Sequence, residues 1–189
     1  RRVLFRSEHT CAVLKSGKVR CWGYGKDGQL GDGAEESDWS PVAVKGISKA
    51  TDIAAGGDWS CALLESGEIQ CWGNPSEGRL GDGKSRYDPV TTPVAVKGIS
   101  TATDISAGIT HTCAVLESGE ARCWGWGEEG KLGNGDPKSN RLKPDAVMGL
   151  STATQIAAAN EHTCALLKSN EVKCWGKGNS NELGHGSQS

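Results

Sequence analysis

The chain has 189 residues and a formal net charge of −2, with its basic and acidic residues scattered and no basic run. This balance argues against an electrostatic grip on nucleic acid. No stretch approaches the roughly 20 apolar residues that cross a membrane as a helix. The length allows one domain with a substantial core.

The first seven residues, 1–7, match no position of the repeats that follow them. The run RVLFRS looks like a translated assembly artefact. We therefore interpret 1–7 as a non-native leader and exclude it from the fold. With such a leader in place, the lack of a signal peptide says nothing about the natural compartment.

From residue 8 onward, a unit with two cysteines ten positions apart occurs four times. The pairs are Cys11 and Cys21, Cys61 and Cys71, Cys113 and Cys123, and Cys164 and Cys174. Folding the first unit about Ser16 pairs Leu14 with Lys18 and brings its two cysteines face to face. As a non-hydrogen-bonded pair, their Cα atoms would lie about 4.5 Å apart, within reach of a disulfide. Each unit is therefore predicted to be a β-hairpin clipped by its own disulfide.

The tip of each predicted hairpin supports this interpretation. A three-residue loop usually ends in a residue with left-handed backbone conformation, which glycine and then asparagine adopt most readily. The four residues at that position are Gly17, Gly67, Gly119 and Asn170.

Two other states of the cysteines stay open, reduced buried thiols and a metal site. Metal binding is disfavoured because Trp59 replaces the histidine that precedes the first cysteine in the other units. Nine intervening residues also do not match the short cysteine spacings of zinc sites. Disulfides are favoured, and they indicate an oxidising environment.

A second block, beginning at Pro41, Pro93 and Pro144, separates the hairpins and holds two short apolar segments bounded by glycine. Two strands from this block and two from the hairpin make four strands per repeat. The period is 50 to 52 residues, and its variation is confined to the connections 34–40, 84–92 and 136–143. This pattern is typical of a β-propeller blade, with a β-solenoid as the less favoured alternative.

The repeats divide the chain into a leader, a half-repeat and three full repeats. The predicted boundaries are 1–7, 8–40, 41–92, 93–143 and 144–189, the last repeat being truncated at its C-terminal end.

The segments HTCAVL, SGKVRCWG, GQLGDG and PVAVKGI, spaced as they are, resemble the repeats of the regulator of chromosome condensation family, in the two-cysteine form found in bacterial proteins. The resemblance covers residues 8–189. It implies an all-β fold, a seven-bladed β-propeller, of which this chain holds about three and a half four-stranded blades in an open arc. Exposed blade edges at both ends would then allow self-association.

Most repeated polar and aromatic residues suit a structural role. A tryptophan found in every repeat is expected to pack between blades, and the histidines before Thr-Cys are expected to form structural hydrogen bonds. The position shared by Asp32, Asp82, Asn134 and His185 drifts from carboxylate to imidazole, which does not suit a calcium ligand. No catalytic set, metal site or cofactor is predicted.

Aromatic residues that break the repeat are better candidates for contact with a partner. Trp39 lies in a variable connection, Trp59 replaces a histidine, and Trp126 aligns with Tyr24. Aromatic side chains on loops are the usual anchors of protein interfaces. All four are therefore candidate partner-binding residues, with packing the favoured role for Trp59.

We expect a non-catalytic scaffold, outside the cell or in its envelope, that contacts another protein through loops on one propeller face. The resemblance supports this, since secreted members of the family include a proteinaceous inhibitor of β-lactamases. The alternative is guanine-nucleotide exchange on a small GTPase, the activity of the family's eukaryotic founder. That activity needs a complete ring and a reducing compartment, where disulfides do not persist.

Overall fold

The protein is described by a computed structural model, which covers residues 3–6 as backbone only and residues 8–179 and 182–184 in full. These residues form four antiparallel sheets, which we call blades 1 to 4 in chain order. Blade 1 contains β1 (Val3–Arg6), β2 (His9–Val13), β3 (Val19–Gly23) and β4 (Asp38–Ala43). Blade 2 contains β5 (Ala50–Ala55), β6 (Trp59–Leu64), β7 (Ile69–Gly73) and β8 (Val90–Ala95).

Blades 3 and 4 repeat this plan. Blade 3 contains β9 (Ala102–Ala107), β10 (His111–Leu116), β11 (Ala121–Gly125) and β12 (Arg141–Ala146). Blade 4 contains β13 (Ala153–Ala158), β14 (His162–Leu167) and β15 (Val172–Gly176). Two short 3-10 turns lie at Ser76–Gly78 and Glu128–Gly130. In the described residues β15 has no further strand outside it.

The hairpin of each blade forms as its sequence predicts. In blade 1 the N–H of Leu14 donates to the carbonyl of Lys18 at 2.8 Å, and Gly17 has φ +73°. Asn170, the one residue that replaces glycine at this position, has φ +65°. Both conformations are the left-handed ones that a three-residue loop requires.

The register brings each pair of cysteines directly opposite one another, as in Cys61 against Cys71. All four pairs form disulfides, with Cα atoms 4.0 to 4.1 Å apart, and the described residues contain no free cysteine. The predicted disulfides are confirmed.

The hydrophobic core lies between the blades. One buried cluster joins blades 1 and 2, a second joins blades 2 and 3, and a third joins blades 3 and 4. We call these three interfaces the first, second and third seams. Because both faces of blades 2 and 3 are covered, strands such as β10 are buried at every position.

The innermost strands β5, β9 and β13 lie next to one another around the open centre of the arc. In the third seam the carboxylate of Asp104 accepts the N–H of Ile156 at 2.7 Å, and the hydroxyl of Ser106 accepts the N–H of Ala158 at 3.0 Å. Side chains on β9 thus bind the backbone of β13, and the all-β open arc of propeller blades is confirmed.

Two details differ from the sequence prediction. Residues 3–6 form β1 and pair with β2, so this part of the supposed leader belongs to a blade in the structure. The second difference is phase: β4 and β5 both come from the segment that begins near Pro41, so each repeat supplies the outer strand of one blade and the inner strands of the next.

Candidate protein-interaction surface

The tryptophan that follows the second cysteine of each hairpin reaches into the preceding blade. The indole N–H groups of Trp72, Trp124 and Trp175 donate to the backbone carbonyls of Gln29, Arg79 and Lys131, at 2.9, 2.9 and 3.0 Å. A Cβ built on Gly31 would lie only 2.6 Å from Nε1 of Trp72, so glycine is required where the indole approaches the backbone. These tryptophans are packing residues between blades, as predicted.

A hydroxyl group completes the same arrangement in every seam. Ser60, Thr112 and Thr163 each donate to the carbonyl that receives the indole N–H, at 3.0, 3.3 and 2.9 Å. Each hydroxyl oxygen also meets a ring nitrogen of the preceding blade, from His9 at 2.9 Å, Trp59 at 3.0 Å and His111 at 2.7 Å. Since the hydroxyl proton is used toward the carbonyl, both histidines donate from Nε2.

This arrangement gives the buried histidines and hydroxyls a structural role. Burial lowers the pKa of His9 to about 4, so its imidazole is neutral at neutral pH. Ser60 is fully buried and its proton is directed at a backbone carbonyl. Neither residue meets a substrate-accessible space.

Trp59 is not available to a partner, contrary to its place among the candidate binding residues. It is 0% exposed, packs in the second seam and donates its indole N–H to Thr112. The guanidinium of Arg79 lies 5.2 Å from its ring centroid. Trp59 therefore fills the slot that histidine fills elsewhere.

Tyr24 and Trp126 lie on one face of the arc, which we call the upper face. This face contains the turn between the first and second strands of each blade and the connection between the third and fourth strands. The backbone N–H groups of both residues donate to carbonyls in those turns, of Glu8 at 2.8 Å and of Thr110 at 3.0 Å. Both side chains are half-buried, so each presents part of its ring to solvent.

Trp126 is held in place by a buried lysine. The ammonium of Lys131 lies 4.3 Å from the ring centroid of Trp126, and Lys131 is 0% exposed. Burial lowers the pKa of this lysine, while the nearby carboxylate of Glu161 acts in the opposite direction. Because the lysine already restrains the ring, burying Trp126 against a partner would cost little conformational entropy.

Charge on the upper face is mixed and locally crowded. Burial, together with the carboxylate of Asp58, raises the pKa of Asp27, which accepts a hydrogen bond from Asn74 at 3.3 Å. Arg79 lies near both carboxylates. Within blade 4 Lys177 pairs with Glu161 at 2.5 Å. The face therefore suits a polar, structured partner surface better than a uniformly charged ligand.

Trp39 lies on β4 and not in a loop, and it is 80% exposed. Its counterparts two residues before the repeated proline are Thr91 and Leu142, which lie against the glycine turns of the preceding blade at Gly28 and Gly78. Trp39 thus stands at the side of blade 1 that faces away from blade 2. The sequence analysis missed Tyr87, which is 83% exposed. Tyr87 is an aromatic residue in a variable connection, and that same property selected Trp39.

Within the described ranges, no three His, Cys, Asp or Glu side chains come close enough together to hold a metal ion. No helix in the described part of the chain is long and apolar enough to cross a membrane.

The model of the Regulator of chromosome condensation (RCC1) repeat matches residues 16–63, 66–115 and 118–166. Two relatives by sequence are the ultraviolet-B receptor UVR8 of Arabidopsis thaliana, 29% identical over 95% of this chain and 42% of that protein, and the human E3 ubiquitin-protein ligase HERC2, 32% identical over 96% of this chain and 3% of that protein. The chain therefore spans less than half the length of either.

Solved structures agree with the fold. The chain superposes on yeast RCC1 (Prp20), in its complex with Kap60, with a TM-score of 0.87 at 20% identity, covering 98% of this chain and 45% of that one. It also matches the ectodomain of the receptor kinase CR4 from Physcomitrella patens, with a TM-score of 0.55 at 25% identity over 92% of this chain and 40% of that one.

Proposed function

Because this chain belongs to the regulator of chromosome condensation (RCC1) repeat family, we propose that it is a non-catalytic, disulfide-stapled scaffold that binds another protein through its upper face. We propose further that it works outside the cell or in the cell envelope. Protein binding by yeast RCC1, seen in complex with Kap60, is consistent with the first part.

The observation that carries the proposal is the set of four disulfides, one in each blade. Disulfides of this kind persist in oxidising compartments and are rare in the cytosol. The likeness to a receptor-kinase ectodomain at 25% identity supports the same location.

A non-catalytic role is supported by how the polar residues are used. The histidines and hydroxyls that a catalytic set would need are engaged in the seams, as His9 and His111 are with Ser60 and Thr163. Trp126 and Tyr24, in contrast, keep part of each ring exposed on the upper face. Rigid, partly exposed aromatic rings are the usual anchors of protein interfaces.

The binding role is tested by capture of surface proteins of the natural host on the immobilised chain. Trp126→Ala is expected to weaken binding of a captured partner by roughly 30-fold, and Tyr24→Ala by less. Tyr87→Ala serves as the control, because Tyr87 is equally aromatic but lies on an outer connection. Unchanged binding by both upper-face variants would remove this face from the function.

The compartment is tested separately by counting thiols. Protein isolated from its natural host, unfolded without reductant and alkylated, is expected to carry no label on its eight cysteines. Eight labelled thiols would instead favour the alternative function, guanine-nucleotide exchange on a small GTPase in a reducing compartment.

A further inference from the structure

The turn between the first two strands of blade 3 is apolar, unlike the same turn in the blades beside it. Ile109 is 43% exposed in this turn and takes the position of Gly57 in blade 2 and of Asn160 in blade 4. Its Cγ2 atom lies 3.7 Å from the place where a Cβ on Gly57 would stand, so Ile109 borders blade 2. The half-buried Trp126 comes from the same part of blade 3, since its backbone N–H donates to the carbonyl of Thr110. We call Ile109 and Trp126 the blade 3 patch.

The blade 3 patch belongs to the interior of the array. Blade 3 packs against blade 2 on one side and against blade 4 on the other. The exposure of the patch is therefore that of the upper face itself and does not come from an uncovered side of a blade. An exposed aliphatic side chain beside a restrained aromatic ring has the composition of the centre of a protein interface.

Carboxylates outnumber cations around the patch. Three carboxylates interact electrostatically with the guanidinium of Arg79, and three more interact with the ammonium of Lys131, beneath Trp126. They are Asp27, Asp58, Glu77, Glu128, Glu129 and Glu161. Against these six stand four cations, Arg79, Lys131, Lys177 and, at the rim, Lys138. The surroundings of the patch therefore carry an excess of negative charge.

The carboxylates also lie further out than most of the cations. Three of them are exposed, namely Glu77, Glu128 and Glu129. Lys131, in contrast, is 0% exposed beneath the indole of Trp126. Arg79 and Lys177 are half-buried, and Lys138 is the one exposed cation of the four. A molecule that approaches the patch therefore meets negative charge first.

Glu77 is held next to the patch although it belongs to blade 2. The side-chain amide of Asn140 donates to its carboxylate. The same Asn140 accepts the N–H of Gly127, the residue after Trp126, at 3.1 Å. A carboxylate of blade 2 is thereby fixed beside the turn that carries the aromatic ring of blade 3.

The other two exposed carboxylates border an open groove. Glu128 and Glu129 line this groove of about 480 Å³ together with Pro137 and Lys138. The groove has room for the long side chain of a lysine or an arginine. Its methylene groups would lie against Pro137 while its charge reaches the two carboxylates.

We propose that the partner of the upper face is a protein with a basic surface. An apolar side chain of this partner covers the blade 3 patch, and its lysine or arginine side chains pair with Glu77, Glu128 and Glu129. This inference rests on the proposed function and adds the chemistry of the partner to it.

The arrangement of charge disfavours an acidic partner. Its carboxylates would be repelled by the exposed carboxylates before reaching any buried cation. The ammonium of Lys131 could be reached only by displacing Trp126, because the lysine is 0% exposed beneath that ring. A basic partner, in contrast, is attracted from a distance and needs no rearrangement.

Short synthetic peptides test the chemistry of the partner. The basic probe has a leucine between two pairs of lysines, the acidic probe has glutamates in place of the lysines, and the third probe has a serine in place of the leucine. Each is titrated into the isotope-labelled 189-residue chain at low salt. Binding is followed by the indole N–H signal of Trp126, which is assigned by its loss in Trp126→Phe.

The basic leucine peptide is expected to bind with a dissociation constant of about 1 mM, and the serine peptide about 10-fold more weakly. The affinity of the basic peptide is expected to fall at least about 3-fold between low and physiological salt, because added ions screen the carboxylates. Equal or tighter binding of the acidic peptide would overturn the proposal, as would the lack of any shift with all three peptides up to about 10 mM.

Two matched variants test where the charge acts. Glu128→Gln with Glu129→Gln is expected to weaken binding of the basic peptide by about 5-fold, because two carboxylates next to the patch are lost. Glu117→Gln with Glu120→Gln removes the same charge from exposed residues at the hairpin tip of blade 3, on the opposite face, and is expected to leave binding unchanged. An equal loss in both double variants would refute the assignment to the upper face.

Ile109→Asn tests the apolar contact, because it installs the residue that blade 4 has at this position. The variant is expected to abolish the difference between the leucine and serine peptides, while thermal unfolding stays unchanged. A difference that persists would show that Ile109 does not receive the apolar side chain. Failure of this inference leaves the proposed function open to its own test, since Trp126→Ala is measured there against a captured partner of any charge.

Discussion

The first and second seams use one hydrogen-bond path with two different rings. In the first seam His9 donates to Ser60, and in the second Trp59 donates to Thr112. Both rings are almost completely buried, and both hydroxyls donate a hydrogen bond to a backbone carbonyl. The shared hydrogen bonds therefore require a ring nitrogen that donates at this position. The size of the ring, and whether the ring titrates, can differ between blades.

The largest loss of stability is expected from removing the larger ring, that of Trp59. Trp59→Ala deletes a fully buried side chain and leaves a cavity in the second seam. We expect the free energy of unfolding to fall by about 3 to 5 kcal/mol, as for other buried aromatic truncations. Urea unfolding measures this loss, and a loss below about 1 kcal/mol would contradict the placement of Trp59 in the core.

Lowering the pH is expected to weaken the first seam, whose ring is an imidazole, but not the indole contact of the second seam. The pKa of His9 falls from 6.5 to about 4 because of burial, so the unfolded chain takes up a proton in a range where the folded protein does not. The contribution of His9 to the free energy of unfolding is therefore fully present above pH 6.5. It declines as the pH falls toward 4, by about 3 kcal/mol for such a shift.

His9→Gln tests this assignment, because glutamine can donate to Ser60 but does not titrate. Urea unfolding between pH 7 and pH 4 is expected to show a shallower decline for the variant than for the unaltered protein. An unchanged slope would show that His9 is not the titrating group.

Removing the hydroxyl should affect both seams equally. Ser60→Ala and Thr112→Val each leave a buried ring N–H without its acceptor, at a cost of about 1 to 3 kcal/mol. Because the geometry is shared, we expect the two losses to agree within about 1 kcal/mol at neutral pH by chemical denaturation. A clear difference between the two losses would mean that the identity of the ring, and not the shared hydrogen bonds, decides how much each seam contributes to the free energy of unfolding.

The smallest effect on stability is expected from changing Arg79, a cation of the second seam that has no counterpart in the first. The guanidinium of Arg79 lies 5.2 Å from the ring of Trp59, and the equivalent residue in blade 1 is Gln29. Arg79→Gln keeps the backbone carbonyl that accepts the seam hydrogen bonds but removes the cation. We expect a loss of about 0.5 to 1 kcal/mol in thermal or chemical unfolding. Lys97→Gln, which removes an exposed cation, serves as the control.

The sequence was sufficient for the local and periodic parts of the fold. Cysteines ten positions apart and a glycine or asparagine at the loop tip predicted the hairpins, because both depend on pairing within one segment. The period of 50 to 52 residues predicted blades, because length change was confined to one connection per repeat.

Contacts between blades were harder to predict. Trp39 and Trp59 were both selected because they break the repeat, yet one is 80% exposed and the other 0%. Burial at these positions depends on whether a neighbouring blade covers them, and the local pattern does not contain that information. The hydroxyls of Ser60, Thr112 and Thr163 escaped notice for the same reason, since their partners lie in the adjacent blade.

The placement of the core between blades has a consequence for how the molecule opens. Among the residues that the structure describes, blades 2 and 3 each pack against two neighbours, and blades 1 and 4 each pack against one. In an array of repeats, stability resides largely in the interfaces between neighbours, so a sheet packed between two others is expected to open less often than a sheet with one described neighbour. Amide hydrogens of the two central sheets should exchange most slowly, and each repeat appended to the array would slow the exchange of the blade that it covers.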